Sequence, residues 1–189
     1  PTMEANTAQD LIDRGAVLIS QHSDSTTPAT TAQANGVPHV GYNISMSDVA
    51  PEASIISSRI DWTNYFCYVI RSIVNGEKVE QDYCQHGLAD GDVVLTELNE
   101  NVAAAGTAET LANVRALIEN GDLQIFDTSK FTVGGETVTT AFALDTDGDF
   151  TADSEEAVFD GAFHESYFQS APYFDLQIDG ITLLDQNYG

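Results

Sequence analysis

A helical pattern that stops at a glycine, followed by a short β-branched or aromatic run, recurs four times along the chain. The segments are LIDRG-AVLIS, TTAQANG-VPHVGY, YVIRSIVNG-EKVEQDY and LANVRALIENG-DLQIF, and their strand-like runs end at Ser20, Tyr42, Tyr83 and Phe126. Glycine suits a helix end because it adopts the left-handed conformation there at little steric cost. Helices that alternate with strands predict an α/β fold with a doubly wound, mainly parallel sheet.

Two segments have the apolar spacing of amphipathic helices. One is predicted from Asp61 to Asn75, with Asp61 as its N-cap, and the other from Thr107 to Asn120. Because apolar residues at i, i+3, i+4 and i+7 share one face of a helix, we expect that face to be buried. The first stripe consists of Trp62, Tyr65, Phe66, Val69, Ile70, Ile73 and Val74, and the second of Leu111, Val114, Leu117 and Ile118.

The pattern changes after Phe126. The run FTVGGETVTTAFAL predicts a hairpin that turns at Gly134-Gly135, and YFDLQIDGITLLD predicts another that turns at Asp179-Gly180. Between them, residues 145–156 form a predicted acidic loop. We therefore expect residues 1–126 to form the α/β core, and residues 127–189 to add a C-terminal β-hairpin extension and return segments to the same domain.

Charge narrows the range of partners. The 189-residue chain has 30 acidic and six basic residues, which gives a formal net charge of −24, and the acids are spread along the sequence. A nucleic-acid binder needs a basic face, so nucleic acid is not expected as a partner. The charge indicates either solubility in a salty medium or local cation sites. No apolar run reaches the ~18 residues of a membrane span.

The two cysteines leave two interpretations open. Cys67 and Cys84 could form one disulfide in an oxidising compartment, or they could be two buried thiols. Cys67 falls within the apolar helix pattern, where a free cysteine behaves as a small hydrophobic residue.

Polar and aromatic residues follow the predicted strands at the places where an open parallel sheet binds its ligands. These strand ends are residues 21–25, 41–45, 59–62 and 85–91. Fixed donors and acceptors beside aromatic rings suit a small polar ring or a sugar. The candidate ligand-binding residues are Gln21, His22, Asp24, Tyr42, Asn43, Asp61, Trp62, Tyr65 and Gly87.

Some of these residues also have a second interpretation. Trp62 either lines the cleft or anchors the core, since it shares the stripe of the first amphipathic helix. His22, Asp24 and Ser25 are the residue types of a nucleophilic triad, but the chain has no GxSxG motif. The alternative is that Asp24, Ser25 and Thr26 cap the next helix. His39, inside a strand, is expected to be structural.

The acidic loop has the ligand spacing of a calcium-binding loop, although one position departs from that pattern. The carboxylates and one carbonyl would come from positions 1, 3, 5, 7, 9 and 12, but Phe150 stands where position 6 needs glycine. The alternative is a solvated acidic loop without an ion. The candidate calcium ligands are Asp145, Asp147, Asp149, Thr151, Asp153 and Glu156.

The strand-end motifs QHSDS and GYNISM, followed by WTNYF, resemble the basic membrane protein (PnrA-like) family of ABC transporter substrate-binding lipoproteins. The likeness continues through GLADGDVVL and LIENGDLQIF and covers residues 5–126. It implies a type I periplasmic-binding-protein fold, in which two Rossmann-like lobes close on the ligand. Residues 1–126 then correspond to the C-terminal lobe, and the N-terminal lobe of the same protein is missing from this chain.

The resemblance also implies what the protein does. It predicts an extracytoplasmic, membrane-anchored lipoprotein that is not an enzyme, needs no cofactor and delivers a purine-like solute to an ABC permease. Nucleoside-binding members carry Asp at the position of Asn43 and Lys near Ile60, so this chain is better suited to a free purine base or another planar ligand. The alternatives are a ligand-sensing domain of a receptor or regulator, and a small hydrolase acting through His22 or Asp24.

Overall fold

The first two helix-glycine-strand segments form the start of a parallel sheet, in a computed structural model that describes residues 1–80, 87–164 and 176–182. Helix α1 (Thr2–Asp13) leads to strand β1 (Ile19–Ser20), and helix α2 (Thr27–Ala34) leads to strand β2 (His39–Tyr42). Glycines follow both helices with φ values of 98° at Gly15 and 66° at Gly36, as predicted. Pro28 favours the start of α2 because its fixed φ suits the first helical turn.

Strand β3 (Ser54–Ile60) continues the sheet, and strand β4 (Val93–Leu95) closes it in the opposite direction. The order is β1-β2-β3-β4, with β1, β2 and β3 parallel and β4 antiparallel to β3. Helix α3 (Thr63–Asn75) lies between β3 and β4 in sequence, and helix α4 (Thr107–Glu119) follows β4. The predicted α/β class with a mainly parallel sheet is therefore confirmed.

Small residues make up the core beside this sheet. One cluster contains Ala8, Ile19 and Ala32, with Leu11 and Ile12 packed against it. Methyl side chains let α1 and α2 approach each other closely. A second cluster consists of Ala29, Met46, Ala50 and Ala53.

The chain divides into two compact units. The described residues of the first unit are 1–71 and 87–120, and those of the second are 72–80, 121–164 and 176–182. The division into a core of residues 1–126 and an extension of residues 127–189 stays a prediction. No described helix is both long and apolar enough to cross a bilayer.

The strands described in the second unit form short hairpins, as the sequence predicts for the end of the chain. Strands β5 (Thr132–Val133) and β6 (Glu136–Thr137) pair across Gly134-Gly135, whose φ values of 61° and 85° suit the predicted tight turn. Strand β7 (Phe142–Leu144) pairs with β8 (Ser154–Glu156), and β9 (Val158–Phe159) pairs with β10 (Ala162–Phe163). Their core contains Val138, Ala143, Ala157, Val158 and Phe163.

The carboxylate of Asp179 binds the last described segment, residues 176–182, to the β5–β6 hairpin. Asp179 accepts hydrogen bonds from the Thr132 hydroxyl at 2.5 Å and from the backbone N–H groups of Gly134 and Gly135 at 3.1 and 2.8 Å. These bonds lower the pKa of Asp179, and the bond from the Thr132 hydroxyl has the largest effect. The predicted turn at Asp179-Gly180 is present, but residues 176–182 form no strand.

Two predicted strands are not found among the described residues. Residues 77–80 are irregular, and the rest of that run, residues 81–83, lies outside the described residues. The DLQIF run, residues 122–126, contains turns instead of a strand. Ile125 is 59% exposed, and the run contacts a neighbouring strand only at its end, where the carbonyl of Phe126 accepts the N–H of Phe163 at 2.9 Å.

The burial predicted for the two amphipathic helices is wrong, although both helices are present. On α3 five of the seven residues of the predicted stripe are exposed and the other two are half-buried, and on α4 Val114 and Leu117 are exposed. Periodicity shows that one face is apolar but not which element will cover it, and the extensively packed pairs of described elements do not include α3 or α4. The exposed residues of the α3 stripe are Trp62, Phe66, Ile70, Ile73 and Val74.

Cys67 carries a free thiol on the exposed surface of α3, so the expectation that it is buried is also wrong. Cys84 lies outside the described residues, and because the thiol of Cys67 is free, the structure contradicts the interpretation of the two cysteines as a disulfide.

Candidate functional site

Sheet topology brings the predicted ligand-binding residues to one edge of the first unit. Because β1, β2 and β3 are parallel, the residues that follow each of them lie at the same edge. The antiparallel β4 begins there, since Val93 pairs with Ile60 and the N–H of Asp61 donates to the carbonyl of Asp92 at 2.8 Å. We name this the ligand edge; it contains the ends of β1, β2 and β3 and the residues just before β4.

Two predicted site residues form a stacked pair at the ligand edge. The rings of His22, after β1, and Tyr42, at the end of β2, have centroids 4.0 Å apart and planes inclined by 22°. His22 is exposed and Tyr42 is half-buried, so the pair presents ring surface to solvent. Such a pair can serve as a platform for a planar ligand.

Asn43 adopts a strained backbone conformation next to this platform. Its φ of 68° lies in the left-handed region, which Asn tolerates better than most residues. Its N–H donates to the carbonyl of Ser58 at 2.6 Å, which fixes the end of β2 against β3. Its side chain is exposed beside Tyr42 at the ligand edge.

Asp61 is occupied in holding the start of α3. Its carboxylate accepts the N–H of Thr63 at 3.0 Å, as the predicted N-cap requires, and forms an ion pair with Arg59 at 3.2 Å. Hydrogen bonds from Thr63, and to a smaller extent the Arg59 charge, lower the pKa of Asp61. Asp61 is therefore an ionised cap that shapes the edge.

Trp62 follows directly and is 52% exposed, so the interpretation of Trp62 as a core anchor is wrong. Its ring centroid lies 6.0 Å from that of Tyr65 and 6.2 Å from that of Phe66, with the Tyr65 ring edge-on. The helix start therefore carries a small aromatic cluster with indole surface open to solvent.

The residues just before β4 complete the edge with backbone groups. The carbonyl of Gly87 accepts the N–H groups of Asp92 and Val93 at 3.1 and 3.2 Å. Asn64, which the sequence did not single out, links the start of α3 to this segment, because its side-chain amide donates to Asp92 Oδ1 at 2.7 Å and to the carbonyl of Asp90 at 3.0 Å. The sequence does not reveal that role, because Asn64 lies 26 and 28 residues before its two partners and meets them only in the folded chain.

The structure does not assemble the candidate triad. Ser25 Oγ donates to Glu4 Oε2 at 2.5 Å, whereas His22 stacks on Tyr42 and Asp24 is exposed. Ser25, and not Thr26, is the residue whose side chain caps α2, through the N–H of Thr27 at 3.4 Å. The hydrogen bond from Ser25 is the main cause that lowers the pKa of Glu4.

A cavity of about 360 Å³ lies beside the end of β1. Its walls are apolar where α1 contributes Met3 and Leu11 and where β1 contributes Ile19, and polar where Gln21 and His22 reach it. Part of a ligand could therefore lie against an apolar wall while its polar groups meet the strand end.

The six candidate calcium ligands do not all lie together in the second unit. Asp145, Asp147 and Asp149 bring one oxygen each to within 4.8 Å of one another. Asp153 instead accepts the hydroxyl of Thr146 at 2.7 and 2.8 Å, and Glu156, in β8, accepts the N–H of Ala141 at 2.7 Å. The N–H of Thr151 donates to Asp149 Oδ1 at 2.8 Å.

The loop is shaped by its own backbone. Asp145 accepts the N–H groups of Gly148 and Phe150 at 2.7 and 2.9 Å. Desolvation raises the pKa of Asp145, but the backbone hydrogen bonds together lower it by more, so the net shift is downward. Phe150 takes a φ of 68°, the left-handed conformation that glycine supplies at that position of a calcium loop.

Comparisons with known proteins connect the chain to binding proteins of transporters. It is 30% identical over 131 residues, 69% of its length, to a Haloferax volcanii protein named "Putative ABC transporter glucose-binding protein". It is 30% identical over 129 residues, 67% of its length, to a Brucella abortus "Purine-binding protein". The chain spans only about a third of each relative, 33% and 35% of their lengths.

Among solved structures, an ABC transporter solute-binding protein from Conexibacter woesei is similar at a TM-score of 0.48 and 20% identity. That match covers 65% of this chain and 41% of the other. No protein-family model matches the chain. The two sequence relatives confirm the predicted similarity to solute-binding proteins, one of them of an ABC transporter, whereas the ligand is left open because they are named for different solutes.

Proposed function

We propose that this chain supplies one lobe of an extracytoplasmic solute-binding protein of an ABC importer, and that its ligand edge binds a purine base. The observation that carries the proposal is the exposed aromatic surface at the edge, namely the stacked pair of His22 and Tyr42 and the half-exposed Trp62. One of the two sequence relatives is named a purine-binding protein.

Aromatic surface and polar groups have different tasks in such a site. A purine has two flat faces that gain from stacking on rings, and an edge of nitrogen donors and acceptors that needs partners. At the ligand edge the exposed side chains of Asp24 and Asn43 are available for that second task, whereas Asp61 is already bonded to Thr63 and Arg59. Binding requires no covalent step, which agrees with the dispersed triad.

A second lobe belongs to this proposal, because the matched part of this chain covers only about a third of each relative. Two lobes that close on a ligand desolvate both of its faces, whereas an open edge leaves one face in water. We therefore assign the missing half of the site to an N-terminal lobe. The membrane-anchored lipoprotein form and the permease partner are proposed from the resemblance alone.

Glucose is the second candidate ligand, because the Haloferax volcanii relative is named for it. Sugars also lie on aromatic faces, and their hydroxyl groups would use the same exposed polar side chains. The two candidates differ in what they need from Trp62: a flat purine gains a full stacking contact, whereas a puckered sugar gains a smaller apolar contact.

Calorimetric titration with adenine, hypoxanthine, guanine and glucose tests the proposal, with Trp62 fluorescence as a second readout. We expect a purine to bind more tightly than glucose, and Trp62→Ala to weaken that binding by about 1–3 kcal/mol, the range for losing one stacking platform. Phe150→Ala, which removes an exposed ring from the second unit, is the matched control. A Trp62→Ala protein that binds the purine as tightly as the wild type would contradict the aromatic site.

The same titration on the chain and on a longer natural polypeptide tests the two-lobe part. We expect affinity to fall by several kcal/mol in the single lobe, each ~1.4 of which is tenfold. Equal affinities would mean that the whole site lies within these 189 residues.

A further inference from the structure

A buried histidine lies directly behind the ligand edge. His39, in β2, is fully buried, and its Nε2 lies 2.8 Å from Oε1 of Gln21, at the end of β1. Strand β2 is the neighbour of β1, with Ile19 opposite His39, so the imidazole reaches the end of β1 from the adjacent strand. The sequence alone predicts only a structural role for His39.

The orientation of the Gln21 amide follows from its other partners. Its Nε2 lies 2.8 Å from two carbonyl oxygens, those of Ser23 and Ser25. An amide nitrogen has two N–H groups, and both are used there, so the oxygen of the amide faces His39. The reverse orientation would place three oxygens against one another.

That orientation also fixes the tautomer of His39. Gln21 Oε1 can only accept, so Nε2 of the imidazole must carry the proton and donate it. The other ring nitrogen, Nδ1, is buried without a hydrogen-bond partner among the described residues, which suits a bare acceptor better than a second N–H. Burial lowers the pKa of His39 to about 4, so the ring stays neutral at physiological pH.

We propose that His39 is a positioning residue for the ligand edge: its Nε2–H holds the Gln21 amide in the one orientation that closes the loop after β1. That loop, residues 21–25, carries His22, whose ring lies 4.0 Å from Tyr42. A rigid loop presents the two rings as one platform, whereas a loose loop lets His22 turn away. The consequence for ligand affinity rests on the proposed function; the positioning of the loop does not.

Nuclear magnetic resonance of the whole chain tests the proposal without any ligand. Hydrogen exchange of the Gln21 side-chain amide reports its two bonds to carbonyls, and the chemical shift of the His22 ring protons reports stacking on Tyr42. For His39→Phe, which keeps an aromatic ring but lacks the donor, we expect about five- to tenfold faster amide exchange, the ratio that one net hydrogen bond supplies. The His22 ring protons should move toward their unstacked shift.

Conservative variants separate positioning from a general loss of structure. His39→Gln retains a donor and should restore both signals toward the wild-type values. Gln21→Glu and Gln21→Met leave His39 in place but lack the N–H groups, so both should unstack His22 even if His39→Phe fails to fold. The control is Gln9→Met, which removes the hydrogen bond between the side chains of Gln9, in α1, and Asn35, just after α2. It should leave the His22 signal unchanged.

The outcomes decide two questions separately. A His22 ring that stays stacked in a folded His39→Phe, or in Gln21→Glu and Gln21→Met, overturns the positioning role. If adenine binds to the wild-type chain, His39→Phe should weaken that binding by about five- to tenfold and His39→Gln should restore it. If adenine binds to no variant while the His22 and Gln21 signals change as expected, the proposed function fails and the positioning role stands.

Discussion

The loop after β1 and the acidic loop between β7 and β8 both hold their shape through side chains that bond to backbone groups, but their anchors differ. In the first loop, Gln21 is neutral and is itself held by the buried His39. In the second, the half-buried Asp145 bonds to its own loop, beside the exposed carboxylates of Asp147 and Asp149. A neutral amide fixed from the core gives a preorganised loop, whereas grouped carboxylates repel one another unless a cation joins them.

We expect the largest effect from protonation of His39, which would remove the anchor of the loop after β1 and lower the stability of the folded chain. Its pKa is about 4 in the folded chain and about 6.5 when unfolded. Between those values the unfolded chain binds the proton and the folded chain does not, so stability is greatest above pH 6.5 and falls as the pH drops toward 4. The shift corresponds to about 3 kcal/mol.

Chemical denaturation between pH 7 and pH 4.5 measures this loss. In His39→Gln, which keeps the donor to Gln21 but cannot titrate, the stability of the first unit should change much less over the same range. A wild-type chain with the same slope as His39→Gln would show that the ring is not buried in its neutral form.

Packing behind the ligand edge should give the next largest effect. A Cβ atom on Gly41 would lie 2.3 Å from Ser57 Oγ and 3.0 Å from Met46 Cγ, so Gly41→Ala overfills the space between β2 and β3. We expect a loss of about 1–3 kcal/mol in the free energy of unfolding. Gly87→Ala, where a Cβ meets no atom within 4 Å, is the control. Adding Ser57→Ala should recover part of the loss, and no recovery would place the clash elsewhere.

Particular residues show how far the sequence could predict these two regions. Helix-glycine-strand units identified β1 and β2, and strand order then brought His22 and Tyr42 to one edge, because parallel strands end together. The hydrogen bond between Gln21 and His39 joins two neighbouring strands, and its partners lie 18 residues apart in sequence. No local sequence pattern predicts it. For α3, periodicity predicted the helix but could not say whether anything covers its apolar face.

A smaller effect is expected from calcium at the acidic loop. We propose that Asp145, Asp147 and Asp149 bind the ion, with Asp153 and Glu156 joining only if they leave their present partners. For a dissociation constant of about 1 mM, 10 mM calcium would stabilise the second unit by about 1.4 kcal/mol. Calorimetry and thermal unfolding measure both quantities.

The control for the calcium site is a charge removed from elsewhere in the same unit. Asp145→Ala should abolish the calcium response, whereas Asp122→Ala, which removes an exposed carboxylate outside the cluster, should retain it. No heat and no thermal shift in the wild-type chain would establish the loop as solvated and acidic without an ion.

The smallest effect concerns Phe150, whose conformation bears on both stability and calcium. Its φ of 68° is strained for a residue with a Cβ, and its side chain is 79% exposed, so replacing it sacrifices little packing. Phe150→Gly relieves the strain but adds flexibility to the unfolded chain, so we expect a net gain of about 0.5–1 kcal/mol in the unfolding free energy. Phe150→Ala keeps the Cβ and should gain nothing. If the loop binds calcium, Phe150→Gly should also bind it more tightly than Phe150→Ala, because the glycine enters the left-handed conformation without strain; equal stability of the two variants would show that the positive φ carries no strain in solution.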